Sequence, residues 1–223
     1  MTPPEQWLDA MWPHVRGHLP DPPAQVIDLG CGRVGGFVPK LRAAGYRAIG
    51  VDPEAPDEPH FIRSTFEAAN VPQPVDVVIA STSLHHVDNP AEVIDRIAAA
   101  LKGGGTVVVI EWASEKFDTK TAEWCFGRLG TDEDDGWLHR VRHDWLASGA
   151  DWPTFIHDWA RQEGLHRGEE LIRQLDERFE CRLLAVGPYF FADLMDTTEA
   201  EEQAAIDSGL VTPARIDYVG TTP

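Results

Sequence analysis

Two acids flank a glycine turn early in this chain. Asp28 stands inside the apolar run Val26-Ile27-Asp28-Leu29, directly before Gly30-Cys31-Gly32, and Asp52 closes a second run, Ala48-Ile49-Gly50-Val51. Short apolar runs of this kind read as buried strands. Gly30 and Gly32 let the backbone turn sharply and approach a ligand with no Cβ in the way. A helical run from Val34 to Ala44 should follow and turn its free N–H groups toward that point. A carboxylate at the end of the next strand, Asp52, is placed to accept hydrogen bonds from both hydroxyls of a ribose. Gly30-Cys31-Gly32-Arg33-Val34-Gly35 formally matches G-x-G-x-x-G with an acid about 20 residues on, the dinucleotide fingerprint. Asp28 argues against a dinucleotide, because a carboxylate there repels pyrophosphate and attracts a cation. S-adenosylmethionine, with a sulfonium, an ammonium and no phosphate, fits that charge pattern.

Val26-Ile27-Asp28-Leu29-Gly30-Cys31-Gly32 resembles the first motif of class I S-adenosylmethionine-dependent methyltransferases, and Asp52 matches that family's ribose-binding acid. The resemblance covers roughly residues 24 to 112. It is strongest to the small-molecule enzymes of the ubiquinone and menaquinone type. It implies that Asp28, Gly30, Cys31, Gly32, Asp52 and Pro53 lie on the cofactor. Relatives usually carry an acid after the third strand to read the adenine amino group. This chain departs from them with Ser64-Thr65-Phe66-Glu67, so Thr65 or the Phe66 backbone takes that place, with Phe66 a candidate to stack on adenine. The fourth strand, Val75-Asp76-Val77-Val78-Ile79-Ala80, runs into Ser81-Thr82-Ser83-Leu84-His85-His86. In the resembling family this edge meets the transferable methyl group, which adds Ser81 and Ser83 to the cofactor set. The Pro-Pro-aromatic motif of amino-group methylation is absent. A histidine near its ordinary pKa can take a proton from a hydroxyl as the methyl arrives, so His86 and His85 are the catalytic candidates, although loop and helix packing is the commoner explanation for such a pair.

The elements that position these residues follow from periodicity. Trp7, Leu8, Met11, Trp12 and Val15 form an apolar stripe on an N-terminal helix over residues 3–19, interrupted at Pro13, which packs on the body or serves as a flap. Trp12, His14 and Arg16 are its candidates to approach the methionine carboxylate or the substrate. A short third strand falls at about residues 60–63. Asn89-Pro90 opens a helix as N-cap and first residue, Lys102-Gly103-Gly104-Gly105 ends it, and Thr106–Trp112 is the fifth strand. Residues 113–178 form a helical cap inserted before the last two strands, 179–190 and 214–220, which an acidic helix over 198–207 joins. A return that short makes the terminal pair antiparallel. The expected fold is α/β and Rossmann-like: one seven-stranded, mostly parallel sheet with an antiparallel last strand, forming a single domain over residues 1–223, with a flap at 1–23.

The cap holds five of the eight tryptophans. Trp112, Trp137, Arg140, Trp145 and Tyr189, with Trp12, are the candidate acceptor-pocket residues, and Trp159 is another guess; the alternative is that the rings only pack helices together. His139 and His143 lie four apart, as metal ligands on a helix do, but no glutamate follows His139 and no third ligand is set by spacing, so no metal is expected. Asp132-Glu133-Asp134-Asp135 reads as an acidic loop.

With 223 residues the chain suffices for one α/β domain, and 43% hydrophobic with 25% charged residues is a globular composition. A net charge of −18 argues against a nucleic-acid surface, which needs a basic patch. No apolar run is long enough to span a bilayer, and the N-terminus lacks a signal-peptide pattern. Cys31, Cys125 and Cys181, odd in number and widely spaced, suit a reducing cytoplasm. The expectation is a cytoplasmic monomer or homodimer that transfers a methyl group from S-adenosylmethionine to oxygen, nitrogen or carbon of a small molecule. Two alternatives stand beside it: an NAD-dependent oxidoreductase using Gly30, Gly32, Gly35 and Asp52, and a cofactor-binding accessory protein without turnover.

Overall fold

The computed structural model describes residues 2–130 and 136–223; the acidic stretch Asp132–Asp135 lies outside the described residues. In chain order the elements are α1 (Pro3–Gly17), β1 (Gln25–Leu29), α2 (Val38–Ala43), β2 (Arg47–Val51), β3 (Phe61–Ile62), β4 (Val75–Ser81), α3 (Pro90–Ala100) and β5 (Leu101–Trp112). Then come α4 (Thr119–Phe126), α5 (Trp137–Ser148), α6 (Trp152–Gln162), α7 (Gly168–Asp176), β6 (Glu180–Gly187), α8 (Glu199–Asp207) and β7 (Arg215–Thr221).

The strands form one sheet in the order β3-β2-β1-β4-β5-β7-β6. Its first five strands are parallel, and β7 runs antiparallel between β5 and β6. The expected mixed sheet with one reversed last strand is therefore present. Alternation along the strands feeds two cores. Ile27, Leu29, Val78, Ala80, Val107 and Val109 pack against α3 and α7 on one face. Val26, Val77, Ile79, Val108 and Ile110 pack against α1 and α2 on the other. Strands apolar on both faces are what a sheet covered by helices on both sides requires. The chain leaves β1 for β2 in one direction and later returns to β4 in the other, so the crevice between the carboxyl ends of β1 and β4 is the switch point where such sheets bind ligands.

Several boundaries differ from the sequence reading. The helix after the glycine turn begins at Val38, not Val34, because Gly35 (φ +81°) and Gly36 (φ +55°) sit in the left-handed region and cannot join a right-handed helix. α1 continues through Pro13, which is exposed. Proline removes one intrahelical bond, but buried Met11 and Val15 on either side of it hold both halves against the sheet. β5 starts at Leu101 and pairs with Val75, so the glycines after Lys102 bulge from the strand opposite Asp76 instead of ending α3. α3 itself is capped as expected, Asn89 accepting from the Glu92 N–H with Pro90 first in the helix.

The segment 113–178 divides between two places. α4, α5 and α6 close over a third core of Trp112, Phe117, Leu138, Val141, Trp152 and Phe190. α7 instead sends Leu171 and Leu175 into the sheet core. Beyond β6, the turn at 189–193 is tied down by Glu202 of α8. This carboxylate is fully buried and accepts the backbone N–H groups of Tyr189 (2.8 Å) and Phe191 (2.6 Å). Removing it leaves two buried donors unmatched, each costing about 1–3 kcal/mol. Glu202→Ala should therefore lower the urea-unfolding free energy by about 2–4 kcal/mol, while Glu201→Ala, on an exposed side chain of the same helix, should change it by under about 1 kcal/mol.

Candidate active site

The carboxyl edge of the sheet carries two adjoining cavities that meet at Gly30 and Thr82. The larger, about 500 Å3, is lined by Asp28, Cys31, Gly32, Arg33, Ser81 and Phe37, with Trp7 and Leu8 of α1 and Tyr189 and Asp193 of the 189–193 turn opposite. The smaller, about 360 Å3, is lined by Asp52, Pro53, Ser64, Thr65, Phe66, Glu67, Ser83 and His86. Each of the ten candidate cofactor residues thus reaches one half or the other.

Backbone conformation brings these groups together. Gly30 has φ +77°, donates its N–H to the Val51 carbonyl (2.8 Å), and has no room for a Cβ, which would collide with the Ser83 side chain. Ser83 in turn donates its hydroxyl to the Leu29 carbonyl (3.2 Å). Gly32 (φ +60°) has nothing within 4 Å of where a Cβ would stand, so its backbone faces open crevice. Asp28 is buried beneath the turn and accepts the Phe37 N–H (2.6 Å). Burial pushes its pKa up to about 7, the charge of Asp52 adds to the rise, and the Phe37 bond opposes it. Asp52 accepts the Glu54 N–H (2.7 Å) through Oδ1. Phe66 serves both core and crevice: it is buried in the sheet core, lines the smaller cavity and carries the Arg96 guanidinium 5.8 Å over its ring.

The two histidines separate. His86 lines the smaller cavity; burial of its inner side and the neighbouring His85 push its pKa down to about 4, so its imidazole is neutral at neutral pH. His85 is buried behind it, with Nδ1 hydrogen-bonded to Glu111 Oε2. Glu111, also buried, accepts the N–H groups of Ser83 (2.8 Å) and Leu84 (2.6 Å) through Oε1. One carboxylate at the end of β5 therefore holds the whole β4 turn. Sequence reasoning gave Glu111 no role. The signal was present, an acid closing the apolar run Val107-Val108-Val109-Ile110.

The acceptor candidates are scattered. Tyr189 lines the larger cavity and stacks on Trp112 (5.6 Å, 9°). Trp112 is buried behind it among His85, Trp137 and Trp159, and its Nε1 has no hydrogen-bond partner among the described residues. Trp137 donates Nε1 to Asp193 (2.9 Å), supporting the cavity wall from behind. Trp145 belongs to the cap interior, donating to the Ala150 carbonyl (2.9 Å) and stacking on Phe126. Arg140 is exposed on α5 and lines neither half. Trp12 packs against the core beneath α1 and lines neither half; Trp7 of the same helix lines the larger half instead, donating Nε1 to Ser81 Oγ (3.3 Å). The stripe on α1 was legible, but which of its tryptophans overhangs the crevice depends on how the helix crosses the sheet. His14 faces Asp217 (3.9 Å), not the crevice. Among the described residues no three His, Cys, Asp or Glu side chains cluster as metal ligands, and no helix is long and apolar enough to cross a membrane.

A crevice at the switch point, with a buried acid under a glycine turn and a second acid at the next strand end, defines a Rossmann-like domain of the cofactor-binding type. The chain matches a methyltransferase-domain family model over residues 5–164 and belongs to that family. It is 30% identical over 157 residues to the ubiquinone biosynthesis O-methyltransferase of Stutzerimonas stutzeri (strain A1501), a match covering 63% of this chain and 64% of that protein. The chain thus spans less than two thirds of that relative's length. A solved S-adenosylmethionine-dependent methyltransferase from Mesorhizobium loti has the same fold (TM-score 0.57, 20% identity, 96% of this chain and 99% of that one). So does geranyl diphosphate C-methyltransferase from Streptomyces coelicolor A3(2), solved with S-adenosyl-L-homocysteine (TM-score 0.57, 14% identity, 97% of this chain and 75% of that one). These findings lend the oxidoreductase alternative no support.

Gly30→Ala combines a left-handed φ with a collision against Ser83. It should cost at least about 2 kcal/mol in urea unfolding and distort both cavities, since strain and clash each contribute about 1–3 kcal/mol. Gly32→Ala, with open space around it, should cost less than half as much.

Proposed function

We propose that this chain transfers a methyl group from S-adenosylmethionine to a hydroxyl oxygen of a small molecule. The observation that carries the reading is the charge and shape of the crevice. Its larger half holds a buried carboxylate with no cationic partner among the described residues, and its smaller half holds Asp52 beside Thr65 and Phe66. The methionine end, with its ammonium, belongs with Asp28 and Gly32. The ribose belongs on Asp52, and adenine between Phe66 and Thr65. The sulfonium then falls near Gly30 and Thr82, where the halves join. The names of the curated relatives favour oxygen as the nucleophile.

The larger half exceeds what a methionine group fills, which leaves the space between Trp7, Leu8 and Tyr189 for the acceptor. Transfer is a direct displacement: the acceptor oxygen bonds to the methyl carbon, the carbon–sulfur bond breaks with its electron pair to sulfur, and the hydroxyl proton leaves. Most of the acceleration comes from aligning three atoms and keeping water out, which α1 and the 189–193 turn do as walls. His86 lines the smaller half on the same β4 turn as Thr82, where the halves join; its imidazole is neutral at neutral pH, though a weaker base than an ordinary histidine, and is the proton acceptor of this reading. Glu111 acts through His85 and the β4 turn, holding them in place.

Asp28 gives this reading a pH signature. Its pKa of about 7 lies above the roughly 3.9 of an unfolded aspartate. For an acid whose pKa is raised, ionisation is disfavoured in the folded protein. The associated loss of stability is absent at low pH and grows as pH rises from about 4 to 7. A bound ammonium reverses this. S-adenosylhomocysteine affinity should rise as pH increases to about 7 and then level off, with close to one proton released per ligand at pH 6 in calorimetry. Asp28→Asn should bind more weakly and release none. Affinity for NAD and none for S-adenosylhomocysteine would overturn the cofactor assignment.

The base assignment has its own test. His86→Ala should lower kcat at least about 100-fold with the KM for S-adenosylmethionine unchanged. Unaltered turnover by a variant that still binds the cofactor would remove His86 from the mechanism. Cofactor binding by the unmodified protein with no methylated product across a panel of phenols and alcohols would favour the accessory role.

A further inference from the structure

A third cavity lies on the flank of the cap and shares no lining residue with the two halves of the crevice. It measures about 640 Å3 and is formed by Ser114–Thr119, by α6 and by the turn leading into α7. Its inner surface is apolar: Phe117 and Ile156 are buried, with Ala160 and Leu165 partly exposed beside them.

Its rim is less acidic than the rest of the molecule: Arg161 and Arg167, with His157 and His166, line it against Glu115 and Asp118, in a chain whose net charge is −18. The acids at the same rim are already engaged. Glu115 accepts the N–H groups of Gly168 (3.1 Å) and Glu169 (3.0 Å), and Asp118 accepts the Thr121 N–H (3.0 Å) and the Thr212 hydroxyl (2.7 Å). Among the described residues the arginines pair with exposed acids, Asp158 at 3.2 Å from Arg161 and Glu169 at 3.7 Å from Arg167. Such pairs contribute little and yield readily to a better anion. The cavity also touches the catalytic turn from behind, since His166 donates its backbone N–H to the His85 carbonyl (3.0 Å) and its Nε2 lies 2.8 Å from the Val87 carbonyl.

We propose that this cavity is a second small-molecule site, for an anionic amphiphile. A compact apolar body lies on Phe117, Ile156 and Leu165, and a carboxylate or phosphate sits among His157, Arg161 and Arg167. Apolar walls with a few convergent polar groups are how small-molecule sites are built. Planar guanidinium groups match carboxylate and phosphate oxygens two at a time.

The test is calorimetric titration with n-octanoate, n-octyl phosphate, n-octanol and n-octylammonium, with and without saturating S-adenosylhomocysteine. Each anion should bind with the same affinity whether or not S-adenosylhomocysteine is present, octanol at least tenfold more weakly, and octylammonium without measurable heat. The stronger of the two anions identifies the headgroup. Arg161→Glu and Arg167→Glu, both on exposed side chains, should each weaken anion binding at least tenfold without moving the melting temperature. Displacement of octanoate by S-adenosylhomocysteine would place it in the crevice and overturn the proposal. Octanol binding as well as octanoate, or wild-type affinity in both variants, would do the same. The site is independent of the methyl-transfer reading: a failure of S-adenosylhomocysteine to bind would remove that reading and leave the Arg161 and Arg167 tests intact.

Discussion

The crevice is held in shape by buried carboxylates that accept backbone N–H groups. Asp28 fixes the glycine turn through Phe37, Glu111 fixes the β4 turn through Ser83 and Leu84, and Glu202 fixes the 189–193 turn through Tyr189 and Phe191. Each acid lies on a regular element and grips an irregular one. A buried acceptor whose donors are in place rigidifies a loop more firmly than an apolar contact, because losing the donors leaves a desolvated carboxylate. Three walls of the crevice therefore depend on the same device. Only Asp28 combines a strongly raised pKa with a place on the crevice surface, so it is the one of the three acids positioned to meet a ligand cation.

What the sequence revealed follows from which forces are local. The two-faced apolar strands, the Asn89-Pro90 cap and the reversed β7 were legible because strand burial, capping and a short return are decided within a few residues. The glycine turn and Asp52 were legible because a left-handed backbone and a strand-end acid leave a fixed spacing. Glu111 and Glu202 were overlooked because their partners lie 27 and 11 residues away, at Leu84 and Phe191. The choice of Trp7 over Trp12, and the assignment of Trp145 to the cap interior, depend on how whole helices settle on one another. That is a sum of many weak contacts with no signature in residue spacing.

The same division explains why the cofactor half of the crevice is better specified than the acceptor half. A nucleoside-bearing ligand is held by backbone turns and strand-end acids, which leave a motif. On the proposed function an acceptor is held by side chains from α1 and the 189–193 turn, two segments with no fixed relation in sequence. Tyr189 reaches that space because Glu202 holds its backbone and Trp112 supports its ring, not through any pattern around residue 189.

Charge ties the cofactor to the reaction. Asp28, Glu54 and Asp193 line the larger half, and Asp52, Glu67 and Asp88 the smaller, in a chain already strongly acidic. Such a field attracts a ligand carrying sulfonium and ammonium and disfavours one carrying pyrophosphate. On the proposed function, methyl transfer then removes the sulfonium charge, so the product would keep its ammonium for Asp28 and lose its second electrostatic hold. The same field opposes the reaction slightly, because it stabilises the sulfonium that is being discharged. Alignment and water exclusion must therefore supply the acceleration, which is consistent with a site built from rigidly pinned walls and few titratable groups at the point of transfer.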